Sequence, residues 1–174
     1  MASSKNICVI VAHPDDEVLA FGGTIARYAK EGYKITVLFA TKGITSRKTN
    51  SSSNLKKIKA IEDQAKLAAN ILGASKIFFA DFPDNKLDSV VFLDIVQYIE
   101  KFIREVKPST ILTHYIYDLN IDHQIIAKAV ATATRPLPSL PRIKIYSGEV
   151  LSSSEYTIEK RFAPNTYINI EEFL

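Results

Sequence analysis

All three histidines of the chain fall in two short stretches that also hold its densest grouping of acids. The first is Ala12-His13-Pro14-Asp15-Asp16-Glu17; the second runs from Thr113 through His114, Asp118, Asn120 and Asp122 to His123. An imidazole followed two residues later by carboxylates suits metal ligation. Proline at position 14 biases His13 towards an extended backbone and fixes the bend behind it, so His13 and Asp16 can converge on one point. Two imidazoles and one carboxylate that leave coordination positions open make a typical catalytic zinc site, and the same donors hold ferrous iron. A divalent ion lowers the pKa of its water towards ~7, and a carboxylate outside the coordination shell can take the proton. These residues therefore predict His13, Asp16 and His123 as metal ligands and Asp15 as general base. Acids in a first helical turn also complement the helix dipole, which accounts for Glu17 but for neither the histidine nor the proline.

The surrounding pattern says what must position these groups. Residues 6–12 form an apolar, β-branched run suited to a strand buried on both faces of a parallel sheet. Val18, Leu19, Ile25, Ala26 and Ala29 follow at helical spacing up to Gly32. The alternation continues with strands at 34–41, 76–81, 109–115 and 143–150. Helices fall at 55–72, at 88–106 and from near Asn120. The expected fold class is α/β: a Rossmann-like three-layer sandwich with a mostly parallel sheet and its site at the carboxyl ends of the strands. Both histidine stretches lie at such ends. The polar segment 46–54 and the proline-rich segment 135–142 read as loops, either of which is a candidate mobile element.

At 174 residues with 47% apolar content, one domain is expected. A net charge of +3 carries no footprint for nucleic acid or anionic lipid. The basic residues Arg47, Lys48, Lys56, Lys57 and Lys59 lack interleaved aromatics. No apolar stretch nears the ~18 residues of a membrane span. The start reads as no signal peptide, and lone Cys8 excludes an internal disulfide, so a reducing, cytoplasmic setting is expected. A dinucleotide site is disfavoured because the first turn carries acids in place of a glycine-rich phosphate loop.

The chain resembles the LmbE/PIG-L-like N-acetylglucosaminyl deacetylases, zinc enzymes that remove acyl groups from amino sugars. The resemblance rests on Ala12-His13-Pro14-Asp15-Asp16-Glu17 and on Asp122-His123. Thr41-Lys42-Gly43, the helix from Glu62 to Gly73 and Phe82-Pro83-Asp84-Asn85 also look like the family, so nearly the whole chain is covered. It implies the same ligands and base, a Zn2+ cofactor with Fe2+ as alternative, and a small N-acetylated amino-sugar substrate. Asp84 and Lys59 lie where the family contacts its sugar, with Lys59 in place of a common arginine; His114 and Asp118 join them on the substrate side. Many members have a histidine at the position of Asn120. Here Asn120 can donate to an oxyanion but delivers no proton, so the acid is left to His114, Asp118 or protonated Asp15. Members usually continue beyond Leu174, so part of the pocket is expected to be missing. A member that binds metal and sugar without turnover is the alternative reading.

Overall fold

The computed structural model describes residues 5–43, 51–136 and 142–173. Among these, five strands form one sheet in the order β3-β2-β1-β4-β5, and every pairing is parallel. They are β1 (Asn6–Val11), β2 (Lys34–Thr41), β3 (Lys76–Phe82), β4 (Thr110–His114) and β5 (Lys144–Gly148), alternating with α1 (Asp16–Lys30), α2 (Ser51–Ile71), α3 (Phe92–Val106) and α4 (Ile121–Ala133). A four-residue helix α5 (Leu151–Ser154) follows β5.

β1 shows why the pattern folds this way. Successive side chains of a strand point to opposite faces, and β1 is apolar at every position after Asn6. Ile7, Val9 and Val11 enter one core with Phe21 and Ile25 of α1 and Ala65 of α2. Cys8, Ile10 and Ala12 enter a second core with Ile95, Ile99 and Ile103 of α3 and Ile126 and Val130 of α4. The three-layer sandwich is the result.

Strand order reverses at β1, which pairs with β2 on one side and β4 on the other. At such a reversal the loops leaving the two central strands diverge to opposite faces and open a crevice. The His13 turn leaves β1 and the stretch from His114 to His123 leaves β4, so the crevice falls between them.

Some boundaries differ from expectation. α2 begins at Ser51 rather than Leu55, because serine and asparagine read as loop formers yet are favoured at helix starts. The helix expected over 88–106 is a one-turn 3-10 helix (Leu87–Ser89), two further residues and then α3. α5 carries no apolar periodicity and was not expected. Residues 46–50 and 137–141 of the two expected loops lie outside the described residues. Among the described residues, no helix is long and apolar enough to cross a membrane.

The chain after α5 runs back across α1: Arg27 donates to the Asn169 carbonyl at 2.8 Å and Lys30 pairs with Glu172 at 2.9 Å.

Gly148 ends β5 opposite His114, and a Cβ there would lie 2.4 Å from Cε1 and 2.5 Å from Cζ of buried Phe21. Gly148→Ala should therefore destabilise the chain by about 1–3 kcal/mol through overpacking. Urea unfolding of the variant checks this, and an unchanged midpoint would contradict the close approach.

Candidate metal centre

The turn between β1 and α1 is held by its own side chains. The His13 N–H donates to Asp16 Oδ2 at 2.8 Å, and the Asp15 carbonyl receives the N–H groups of Val18 and Leu19, each at 3.0 Å. Asp15 has φ 148°, a region rarely adopted by residues other than glycine and costing of order 1–3 kcal/mol. The strained peptide is anchored by Glu17, a buried carboxylate that accepts the Asp15 N–H at 3.0 Å.

His123, on the first turn of α4, meets this turn across the crevice. His13 Nδ1 lies 3.2 Å from Asp16 Oδ2; His123 Nε2 lies 3.3 Å from Asp16 Oδ2 and 3.3 Å from His13 Nδ1. Zinc bonds of about 2.0–2.1 Å at tetrahedral angles place neighbouring donors about 3.3 Å apart. The three expected ligands thus form a group that could hold a metal ion, with the spacing of one face of such a polyhedron. A second group, His13 with Asp84 and Asp122, also has metal-like spacing. Asp122, however, already spends Oδ2 on the Asn85 N–H at 2.8 Å and Oδ1 on the Leu87 N–H at 3.1 Å, which marks it as an orienting group.

Both candidate imidazole ligands turn their second nitrogen to a carboxylate, the arrangement that fixes the tautomer and orientation of a metal-bound histidine. His13 Nε2 lies 3.2 Å from Asp122 Oδ2 and 3.4 Å from Asp84 Oδ1, and His123 Nδ1 lies 3.3 Å from Asp118 Oδ1. His114 is fully buried and stacks on His123 with ring centroids 3.9 Å apart and planes 6° apart, while its Nε2 accepts the Ala12 N–H at 2.8 Å.

The remaining expected residues are placed as follows. Asp84 lines the cleft but is buried and faces His13. Asp118 is buried: Oδ1 receives the Asn120 N–H at 2.8 Å and Oδ2 the Ser154 hydroxyl at 2.6 Å. Asn120 caps α4, its Oδ1 accepting the Asp122 N–H at 2.9 Å, and lines the cleft. Lys59 is exposed and is not among the lining residues, whereas Lys57, two positions earlier, is. Asp122 was legible only as half of the Asp-His pair, with no role attached. Ser154 gave no signal, because a lone serine beyond a strand has no distinctive spacing.

The cleft above the centre measures about 1010 Å³. Its lining includes His13, Asp15, Asp16, Asn120 and His123, the apolar Val18, Leu19, Ile61 and Ala65, and Ser152 and Ser153 of α5.

Electrostatics separates the roles. Burial alone would lower the His13 pKa, but hydrogen bonds to Asp122 and Asp16 raise it to about 10. Burial likewise opposes the His123 cation, and Asp118 and Asp16 raise it to about 8. Burial lowers the His114 pKa and keeps that ring neutral. Burial opposes ionisation of Asp118, yet contacts with His123 and Ser154 bring it down to about 2. Partial desolvation in the cleft, and then the Asp16 charge, raise Asp15 above the ordinary carboxyl range, as suits a proton acceptor.

The family PIG-L, described as GlcNAc-PI de-N-acetylase, matches residues 8–134, a span that holds all of these groups except Ser154 and its neighbours in α5. Over 172 residues the chain is 28% identical to a probable N-acetyl-alpha-D-glucosaminyl L-malate deacetylase 2 of Bacillus cereus, covering 97% of this chain and 77% of that protein. It is 31% identical over 129 residues to 4-oxalmesaconate hydratase of Pseudomonas putida, covering 70% and 48%. The fold matches that of N,N'-diacetylchitobiose deacetylase from Pyrococcus horikoshii with a TM-score of 0.77 at 20% identity, over 97% of this chain and 65% of that one.

In the metal-free protein, pKa values of about 10 and about 8 leave both His13 and His123 protonated at pH 7. Both exceed the ordinary histidine value, so their contribution to stability is complete below pH ~6.5 and is lost as pH rises through 8 and then 10. A cation must displace these protons. Zinc uptake at pH 7 should therefore release protons, and affinity should climb with pH up to about 10. Calorimetric titrations in buffers of different ionisation enthalpy measure the release, and zinc binding with no proton released would contradict the arrangement.

Proposed function

From the premise that the chain belongs to the PIG-L family, we propose that it is a metal-dependent hydrolase removing an N-acetyl group from an amino sugar or its conjugate. The observation that carries this reading is the triangle of His13 Nδ1, Asp16 Oδ2 and His123 Nε2 at the floor of a cleft that Asp15 also lines. A divalent ion held there, zinc or ferrous iron, supplies Lewis-acid polarisation of the acyl carbonyl and acidifies water.

The chain's own residues do the rest. Asp15 accepts the proton of the attacking water, helped by a carboxyl pKa raised through partial desolvation and the Asp16 charge. The NH2 group of Asn120, the half of the side chain that the helix cap leaves unused, donates towards the oxyanion that develops on the acyl carbon. The C–N bond then breaks and the sugar amine takes a proton, leaving acetate and a free amine. Of the three candidates for that proton, His114 is fully buried, and Asp118 is held ionised by His123, Ser154 and Asn120. Their placement supports Asp15 as the acid too, returning the proton it took. Asp84, with its carboxylate on His13, acts on the ligand rather than on the sugar in this reading.

The Pseudomonas putida relative is named a hydratase, and addition of water to a double bond would use the same base. Acetate release from N-acetylglucosamine conjugates distinguishes the two chemistries. Asp15→Asn should keep about one metal ion per chain and lose roughly 10²–10⁴-fold in turnover; a variant within a few-fold of the parent would sink Asp15 as base. His123→Ala should lose both the metal and the activity, as read by elemental mass spectrometry and the acetate assay. Metal bound in the parent chain with no acetate released from any such conjugate would favour the binding-only alternative.

A further inference from the structure

Ser154 lies past the family-matched span, on the last turn of α5, and is buried. Its hydroxyl oxygen accepts the Val150 N–H at 2.8 Å. The one proton it carries is directed to Asp118 Oδ2 at 2.6 Å. The other oxygen, Asp118 Oδ1, receives the Asn120 N–H at 2.8 Å and faces His123 Nδ1 at 3.3 Å. Both oxygens are therefore tied on separate sides, and the carboxylate cannot turn about its own bond without giving up a buried partner. The carboxylate 3.3 Å from Nδ1 favours a proton on that nitrogen, which leaves Nε2, directed at Asp16 and His13, as the nitrogen that would give up its proton to a metal. Stacking of His114 against the ring fixes the remaining tilt.

We propose that Ser154 is a positioning residue of the metal centre: its hydroxyl locks Asp118, and through Asp118 it sets the tautomer and angle of the ligand His123. This rests on the reading of His13, Asp16 and His123 as a metal site. It makes α5 more than a connection. The same short helix presents Ser152 and Ser153 to the cleft, so the wall that a substrate would touch and the group that orients a ligand belong to one element.

The test is a zinc titration of the full chain, with a chromophoric chelator as competitor, on Ser154→Ala, Asp118→Ala and the double variant. Carboxylates and their supports behind a metal ligand typically affect affinity 10–100-fold. Ser154→Ala should weaken Zn2+ binding roughly tenfold, and the double variant should bind no worse than Asp118→Ala, because the serine acts through the aspartate. A merely structural serine would lower the melting temperature and leave the zinc Kd alone. Where the alanine variant does not fold, Ser154→Thr and Ser154→Val replace it: equal in shape, they differ in the hydroxyl, and only the threonine should keep parental affinity. Parental affinity in Ser154→Ala or Ser154→Val, or losses that add in the double variant, would overturn the role of Ser154. Failure of the unaltered chain to bind Zn2+ would instead overturn the metal centre itself.

Discussion

Four aspartates, Asp16, Asp84, Asp118 and Asp122, are buried around two imidazoles, and the disposal of that negative charge governs the architecture of the whole end of the sheet. Removing carboxylates from water is costly unless each gains partners and a counter-charge. Main-chain N–H groups supply much of the solvation: His13 for Asp16, Asn120 for Asp118, Asn85 and Leu87 for Asp122. Those donors come from the turns after β1, β3 and β4, so the same bonds that satisfy the acids fix the loops in place. The counter-charge comes from the imidazoles of His13 and His123, which the surrounding carboxylates hold towards their protonated forms.

The sheet makes this possible by its order alone. Because β1 lies between β2 and β4, its loop and the β4 loop open to opposite faces and their side chains meet in the gap. The two cores on either face of β1 hold that strand with no exposed apolar position, which gives the His13 turn a rigid base. Asp15 is where rigidity becomes strain: its peptide stays in a costly conformation because Glu17, Val18 and Leu19 all bind it there.

Much of this was legible in the sequence because the signals are local. A strand buried on two faces shows as an unbroken apolar run, and a candidate ligand turn shows as His-Pro-Asp-Asp at its end; the fold class and the grouping of His13, Asp15, Asp16 and His123 follow from those. Roles that depend on where a side chain points were not legible. Asp84 and Asp118 read as groups facing substrate; Asp84 lines the cleft and also faces His13, while Asp118 is buried beside His123, and sequence spacing carries no information about which side of a loop a carboxylate takes. Lys59 and Lys57 differ by two positions on α2, which is enough to move a side chain to another face of the helix. Ser154 is joined to Asp118 across 36 residues, and nothing in either neighbourhood announces the pairing.

The pairing of β1 with β4 also sets a timetable. His13 and His123 are 110 residues apart in the chain, and β1 and β4, the strands just before them, join only after the segment between them has folded or been bridged. Long-range closures of this kind come late and slowly in folding. During synthesis the first half of the centre leaves the ribosome well before the second exists, so a nascent chain holds only His13 and its adjacent acids. The grouping of His13, Asp16 and His123 then becomes a signature of the β1–β4 pairing, one that neither half of the chain displays alone.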